Sequence, residues 1–158
     1  MSIFRDFFTI KENVSIGYLD KISNALGMIR RKKERELFQN IAQKNELRIS
    51  YVSENQDIEE LSGGNQQKVV IGRWIYRENL SLLLMDEPTH GIDVGVKYDI
   101  YSLIRNLAEE GKSVLMVSSE LPEMTGVCDR LYIIKEGVIQ GELRRDEFDN
   151  ETILEAVL

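Results

Sequence analysis

The sequence predicts an α/β fold in which a helical part leads into a parallel βαβ unit. Residues 81–85, Ser-Leu-Leu-Leu-Met, form a short apolar run that ends in Asp86-Glu87-Pro88, the pattern of a buried strand with charge at its C-terminal end. Residues 94–109 place Ile100, Leu103, Ile104 and Leu107 on one side of a helix. Gly111 then stops that helix before a second apolar run at residues 113–117. Strand, helix, strand is the grammar of two parallel strands joined by a crossover.

The elements around this unit follow from the same rules. Residues 14–47 are charged and helix-favouring, with Leu37, Phe38, Ile41 and Ala42 on one face, and read as two helices. A polar, loop-like passage covers residues 51–60, and residues 65–76 again have helical composition. Ser62-Gly63-Gly64 therefore sits where that helix begins. Towards the end, apolar residues 131–134 and 138–143 flank Lys135-Glu136-Gly137, a hairpin pattern. Ile153, Leu154, Val157 and Leu158 predict a short closing helix. The organisation is a helical subdomain over residues 1–78, ending in the glycine-led helix, and an α/β part over residues 79–158.

Composition narrows the function. A chain of 158 residues with 42% apolar content is the size of one ordinary domain. Its net charge of −7 argues against nucleic acid as a partner, because gripping phosphates needs a basic face. The cluster Arg30, Arg31, Lys32, Lys33 and Arg35 is interleaved with Glu34 and Glu36 and reads as a solvated helix face. Cys128 is the only cysteine, which fits a reducing compartment and a cytoplasmic location. No stretch approaches the roughly 18 unbroken apolar residues of a membrane span.

Two motifs carry chemistry. A serine able to cap a helix, followed by two glycines, presents backbone N–H groups at the positive end of a helix dipole, which is a corner for phosphate. Taken alone, Ser62-Gly63-Gly64 is equally an ordinary loop-to-helix junction. At Asp86-Glu87, one carboxylate at a strand end can hold Mg²⁺ while its neighbour orients or deprotonates a water. Taken alone, this pair is equally a solvated strand end before a proline turn.

Order and spacing decide between these readings. Leu61-Ser62-Gly63-Gly64-Asn65-Gln66-Gln67-Lys68, then residues 82–87, then Pro88-Thr89, Gly91-Ile92-Asp93, and finally Val117-Ser118-Ser119-Glu120 is similar to the motif series of an ABC ATPase. In wording it resembles the second ATP-binding domain of tandem sugar-importer ATPases of the ribose and galactose type. The resemblance covers nearly the whole chain and implies a partial P-loop NTPase (ABC ATPase) core with a parallel sheet and a helical subdomain.

What the resemblance implies for residues is specific. Leu61, Ser62, Gly63, Gly64, Asn65 and Gln66 belong to the signature motif, with Ser62, Gly63 and Gly64 donating to the γ-phosphate of an ATP held by a second ATP-binding domain. Asp86 is the magnesium-associated acid and Glu87 the base or water-orienting residue. Asp93 lies in the D-loop, and Ser119 falls where the family's switch histidine usually stands. A serine there lacks an imidazole's charge and reach. His90, the only histidine, follows Walker B, where a basic interface contact and a plain exposed turn residue both fit. Thr9-Ile10-Lys11-Glu12-Asn13 resembles the segment after the Q-loop.

The phosphate loop is the missing partner of these motifs. It requires Gly-x-x-x-x-Gly-Lys-Ser/Thr leaving a strand and entering a helix. Gly111-Lys112-Ser113 matches only in part: the first glycine falls on Asn106, and the triplet leaves a helix and enters a strand. The expectation is a fragment of the ATP-hydrolysing subunit of an ABC sugar importer, inert by itself for want of Walker A. It would sit on the inner face of the cell membrane, with a permease docked on its helical subdomain. The narrow sheet would leave apolar surface exposed and favour self-association. The alternative is a non-catalytic binding module that docks on a permease or on a partner ATPase domain.

Overall fold

The computed structural model describes residues 8–43, 47–149 and 153. The helical part is built around α4 (Gly63–Ile75), against which α1 (Ile10–Ser15), α2 (Leu19–Ile22) and α3 (Arg31–Ala42) gather. A capping box starts α1: the Glu12 N–H donates to Thr9 Oγ1, and the Glu12 carboxylate accepts from the Thr9 N–H. The stretch expected as two helices is instead three, with a 3₁₀ turn at Ile16–Tyr18 between the first two.

The physical reason for that break lies across the fold. A Cβ on Gly17 would fall 2.1 Å from the Arg73 carbonyl oxygen, so the chain presses directly on α4 there. Beside it the Tyr18 hydroxyl donates to the Gly72 carbonyl at 2.9 Å and accepts from the Tyr76 N–H at 3.3 Å. Buried Arg73 donates to the Asn13 carbonyl at 2.8 Å and to the Asn13 side-chain oxygen at 2.9 Å. These bonds satisfy polar groups that burial would otherwise penalise by about 1–3 kcal/mol each. Burial pushes the Tyr18 phenol up to about 12, against the lowering pull of the Tyr76 N–H and Arg77.

The basic cluster lies on α3 with its lysines and arginines exposed. Glu34 turns inward instead, paired with Arg31 at 3.3 Å.

The α/β part matches its pattern closely. β1 (Leu82–Asp86), α5 (Val94–Glu109) and β2 (Ser113–Val117) form a parallel βαβ unit with Leu84 opposite Leu115 and Asp86 opposite Val117. Gly111, with φ 81°, stands at the end of α5, so Gly111-Lys112-Ser113 leaves a helix and enters a strand. α6 (Leu121–Val127), which no sequence expectation covered, follows with Pro122 in its first turn. The hairpin is β3 (Arg130–Lys135) against β4 (Val138–Arg144), closed by Glu136 and Gly137 with φ 51° and 78°. Ile153 is helical and buried, while Leu154, Val157 and Leu158 of the expected closing helix lie outside the described residues.

One contiguous hydrophobic cluster runs from Ile10 and Val14 through Val69 and Ile75 to Leu83, Met85, Ile100, Leu103 and Met116. It joins the helical part to the inner face of the β1–β2 sheet. The outer face is bare: Leu82, Leu84, Leu115 and Val117 are 51, 67, 53 and 55% exposed. Among the described residues no helix is long and apolar enough to cross a membrane.

Candidate functional site

Two groups of the expected residues are assembled separately. The first is the corner before α4. Ser62 caps the helix, its Oγ accepting from the Asn65 N–H at 3.4 Å and from the Asn65 side-chain amide at 3.0 Å. The Gly63 and Gly64 N–H groups fall in the first turn, where no intrahelical acceptor exists. The two glycines serve different ends. A Cβ on Gly63 would meet open space, whereas one on Gly64 would meet Val96 Cγ2 at 2.7 Å. Gly63 faces open space; Gly64 lets α4 pack on the first turn of α5.

That contact also draws Asp93 to the corner, because Asp93 caps α5, accepting from the Val96 N–H at 3.1 Å. The remaining members of the motif brace it from behind. Leu61 is buried in the core. Gln66 Nε2 donates to the Leu61 carbonyl at 3.0 Å, and Asn65 Oδ1 accepts from the Ser50 N–H at 2.9 Å. Lys68 is held on Asp99 of α5 at 2.7 Å.

The second group stands at the C-terminal end of β1. Asp86 is exposed as the last residue of the strand. Glu87 adopts a left-handed backbone, φ 45°, its N–H donating to the Val117 carbonyl at 2.9 Å. A non-glycine residue in that region is uncommon and persists only where its surroundings hold it. Its carboxylate Oε1 accepts from the Ser119 N–H at 2.8 Å. Ser119 thus reaches Glu87 through its backbone, not through the side chain whose chemistry separates it from histidine. His90 is exposed in the turn, its N–H on the Glu87 carbonyl at 3.3 Å.

Residues 3–90, more than half of the chain, match the ABC transporter family. The chain belongs to that family. It is 45% identical over 145 residues to the L-arabinose transport ATP-binding protein of Geobacillus stearothermophilus, covering 92% of this chain and 28% of that protein. It is 44% identical over 146 residues to the ribose import ATP-binding protein of Caldanaerobacter subterraneus subsp. tengcongensis, covering 92% and 29%. The chain spans less than a third of the length of these relatives. Among solved structures it is similar to the ADP conformation of an ATP-binding cassette of an ABC transporter, with TM-score 0.71, 27% identity, and 94% of this chain and 62% of that one covered. A dimeric post-hydrolysis cassette bound to ADP and Pi shares the fold, with TM-score 0.73, 24% identity, and coverage of 92% and 62%.

The residues of this ABC transporter segment fit a nucleotide and its magnesium in part. The open space at Gly63 and the first-turn N–H groups suit a phosphate. Among the described residues no three His, Cys, Asp or Glu side chains cluster as metal ligands. Asp86, exposed at the end of β1, offers a single carboxylate, which fits an ion that takes its other ligands from nucleotide oxygens and water, as Mg²⁺ does.

A third cluster was not foreseen. Glu123 of α6, 5% exposed, takes Thr89 Oγ1 at 2.6 Å and Ser118 Oγ at 2.9 Å on Oε2, and Lys97 Nζ at 2.7 Å on Oε1. Lys97 also binds Glu120 at 2.7 Å. Burial alone would raise the Glu123 carboxyl, but Lys97, Thr89, Tyr101 and Ser118 outweigh it and hold it down at about 2. Thr89 and Lys97 lie 34 and 26 residues away along the chain, so no local pattern announces them.

Proposed function

We propose that this chain is the signature and Walker B portion of the ATP-hydrolysing subunit of a sugar importer. The observation that carries the reading is Glu87, held in a left-handed conformation beside Asp86 with its carboxylate fixed on the Ser119 N–H. A carboxylate so restrained is suited to orient or deprotonate a water in line with a phosphoryl group. Magnesium, when bound, neutralises charge on the nucleotide oxygens. Asp86 supplies it one ligand. Ser62 and the Gly63 and Gly64 amides donate to the γ-phosphate of a nucleotide whose phosphate loop comes from a second ATP-binding domain, in keeping with the dimeric cassette similar in fold. Asp93 lies at that interface.

Residues 1–78 act as the helical subdomain and residues 79–158 as part of the α/β core. Leu26 and Met28, 82% and 59% exposed at the turn after α2, offer apolar surface for a permease and so support a location on the inner face of the membrane. The names of the relatives point to a pentose as cargo. The test is Glu87→Gln in the ATP-binding subunit that carries this segment. We expect ATP binding to persist and phosphate release to fall at least about 100-fold. Phosphate release at the wild-type rate would overturn the assignment.

A further inference from the structure

The turn after β1 and the turn after β2 are joined through one buried carboxylate. Thr89 belongs to the first turn, two residues beyond Glu87; Ser118 belongs to the second, directly before Ser119. Both hydroxyls donate to the same oxygen, Glu123 Oε2, at 2.6 and 2.9 Å. The other oxygen is occupied by Lys97 at 2.7 Å, which ties α6 to α5. Ser118 Oγ in turn accepts from the Glu120 N–H at 3.1 Å, so its rotamer is fixed from both sides.

Anchoring α6 would need only the ion pair to Lys97. Collecting one hydroxyl from each turn does something further: it sets the distance between them. That distance decides whether the Ser119 N–H can reach Glu87 Oε1, now 2.8 Å away. A left-handed glutamate has conformational energy to lose by relaxing, and needs its surroundings to hold it.

We propose that Glu123 is a positioning residue for Glu87, clamping the Thr89 and Ser118 turns so that the Ser119 amide stays on the Glu87 carboxylate. The functional weight of this clamp rests on Glu87 orienting water, but the clamp is observable with no nucleotide present.

The experiment is ¹H–¹⁵N NMR of the 158-residue chain, following the Ser119 amide. Glu87→Gln provides the reference signal for an amide that has lost its carboxylate. We expect Thr89→Val, Ser118→Ala and Glu123→Gln each to move the Ser119 resonance towards that reference and to speed its hydrogen exchange about tenfold. Amides of residues 68–75 in α4 stay in place, and Thr89→Ser, which keeps the hydroxyl, retains the wild-type signal. Should Glu123→Gln fail to fold, the two single-hydroxyl variants decide alone. A Ser119 amide unchanged in folded Thr89→Val and Ser118→Ala would overturn the proposal. Wild-type ATP turnover in Glu87→Gln would remove the catalytic reading and leave this comparison intact.

Discussion

α4 and β1 are neighbours in sequence, yet they live in different surroundings. α4 is enclosed, with Val69 and Ile75 fully buried and Gly72, Arg73 and Tyr76 bonded to the chain packed over it. β1 is enclosed on one face only: Leu83 is 8% exposed and the adjacent Leu84 is 67% exposed. Strands of parallel sheets are ordinarily covered on both faces. α4 is thus covered from within the helical region, while the sheet offers Leu82, Leu84, Leu115 and Val117 to another surface.

The sharpest way to break the enclosed region is Gly17→Ala, whose Cβ would land 2.1 Å from a backbone oxygen that cannot swing away. We expect a loss of about 3 kcal/mol in urea unfolding. Next comes a matched pair on β1: Leu83→Ala should cost about 2–3 kcal/mol, and Leu84→Ala less than about 0.5 kcal/mol. Equal costs would mean that the outer face is packed in solution. If that face drives association, Leu84→Glu should lower the sedimentation coefficient at high protein concentration.

The link between the two turns gives a pH effect. The Glu123 carboxyl is lower in the folded chain, at about 2, than in the unfolded one, at about 4.3. Folding therefore favours the ionised form, and its stabilisation is complete above about pH 4.5 and vanishes as pH falls through about 2. Denaturant midpoints of the wild type and Glu123→Gln should accordingly converge on acidification. Smallest is Ser15→Ala. Buried Ser15 Oγ has no hydrogen-bond partner among the described residues, so its removal should leave stability unchanged or raise it by up to about 1 kcal/mol.

The two regions also differ in how far the sequence revealed them. β1, α5, β2 and the hairpin were legible because each is set by a local apolar run and a local stop, Pro88, Gly111 or Lys135-Glu136-Gly137. The start of α4 was legible because Ser62 caps it. The break at residues 16–18 was not, because its cause is the approach of Gly17 to Arg73 on another helix. Gly64 was read as space for an anion, and only packing shows that Val96 needs that space. Within the candidate site the order of motifs singled out Ser62, Asp86, Glu87 and Asp93 as candidates. The use of Ser119 by its backbone, and the Glu123 cluster, depend on contacts between distant turns.

We propose that this chain carries the donor corner and the acidic strand end of a nucleotide site whose phosphate cradle is supplied by another domain. The most direct test is calorimetric titration of the chain, shown by circular dichroism to be folded, with Mg-ATP. We expect no measurable heat of binding. Binding tighter than about 1 mM, a free energy beyond about −4 kcal/mol, would contradict it by showing that the chain cradles the phosphates itself.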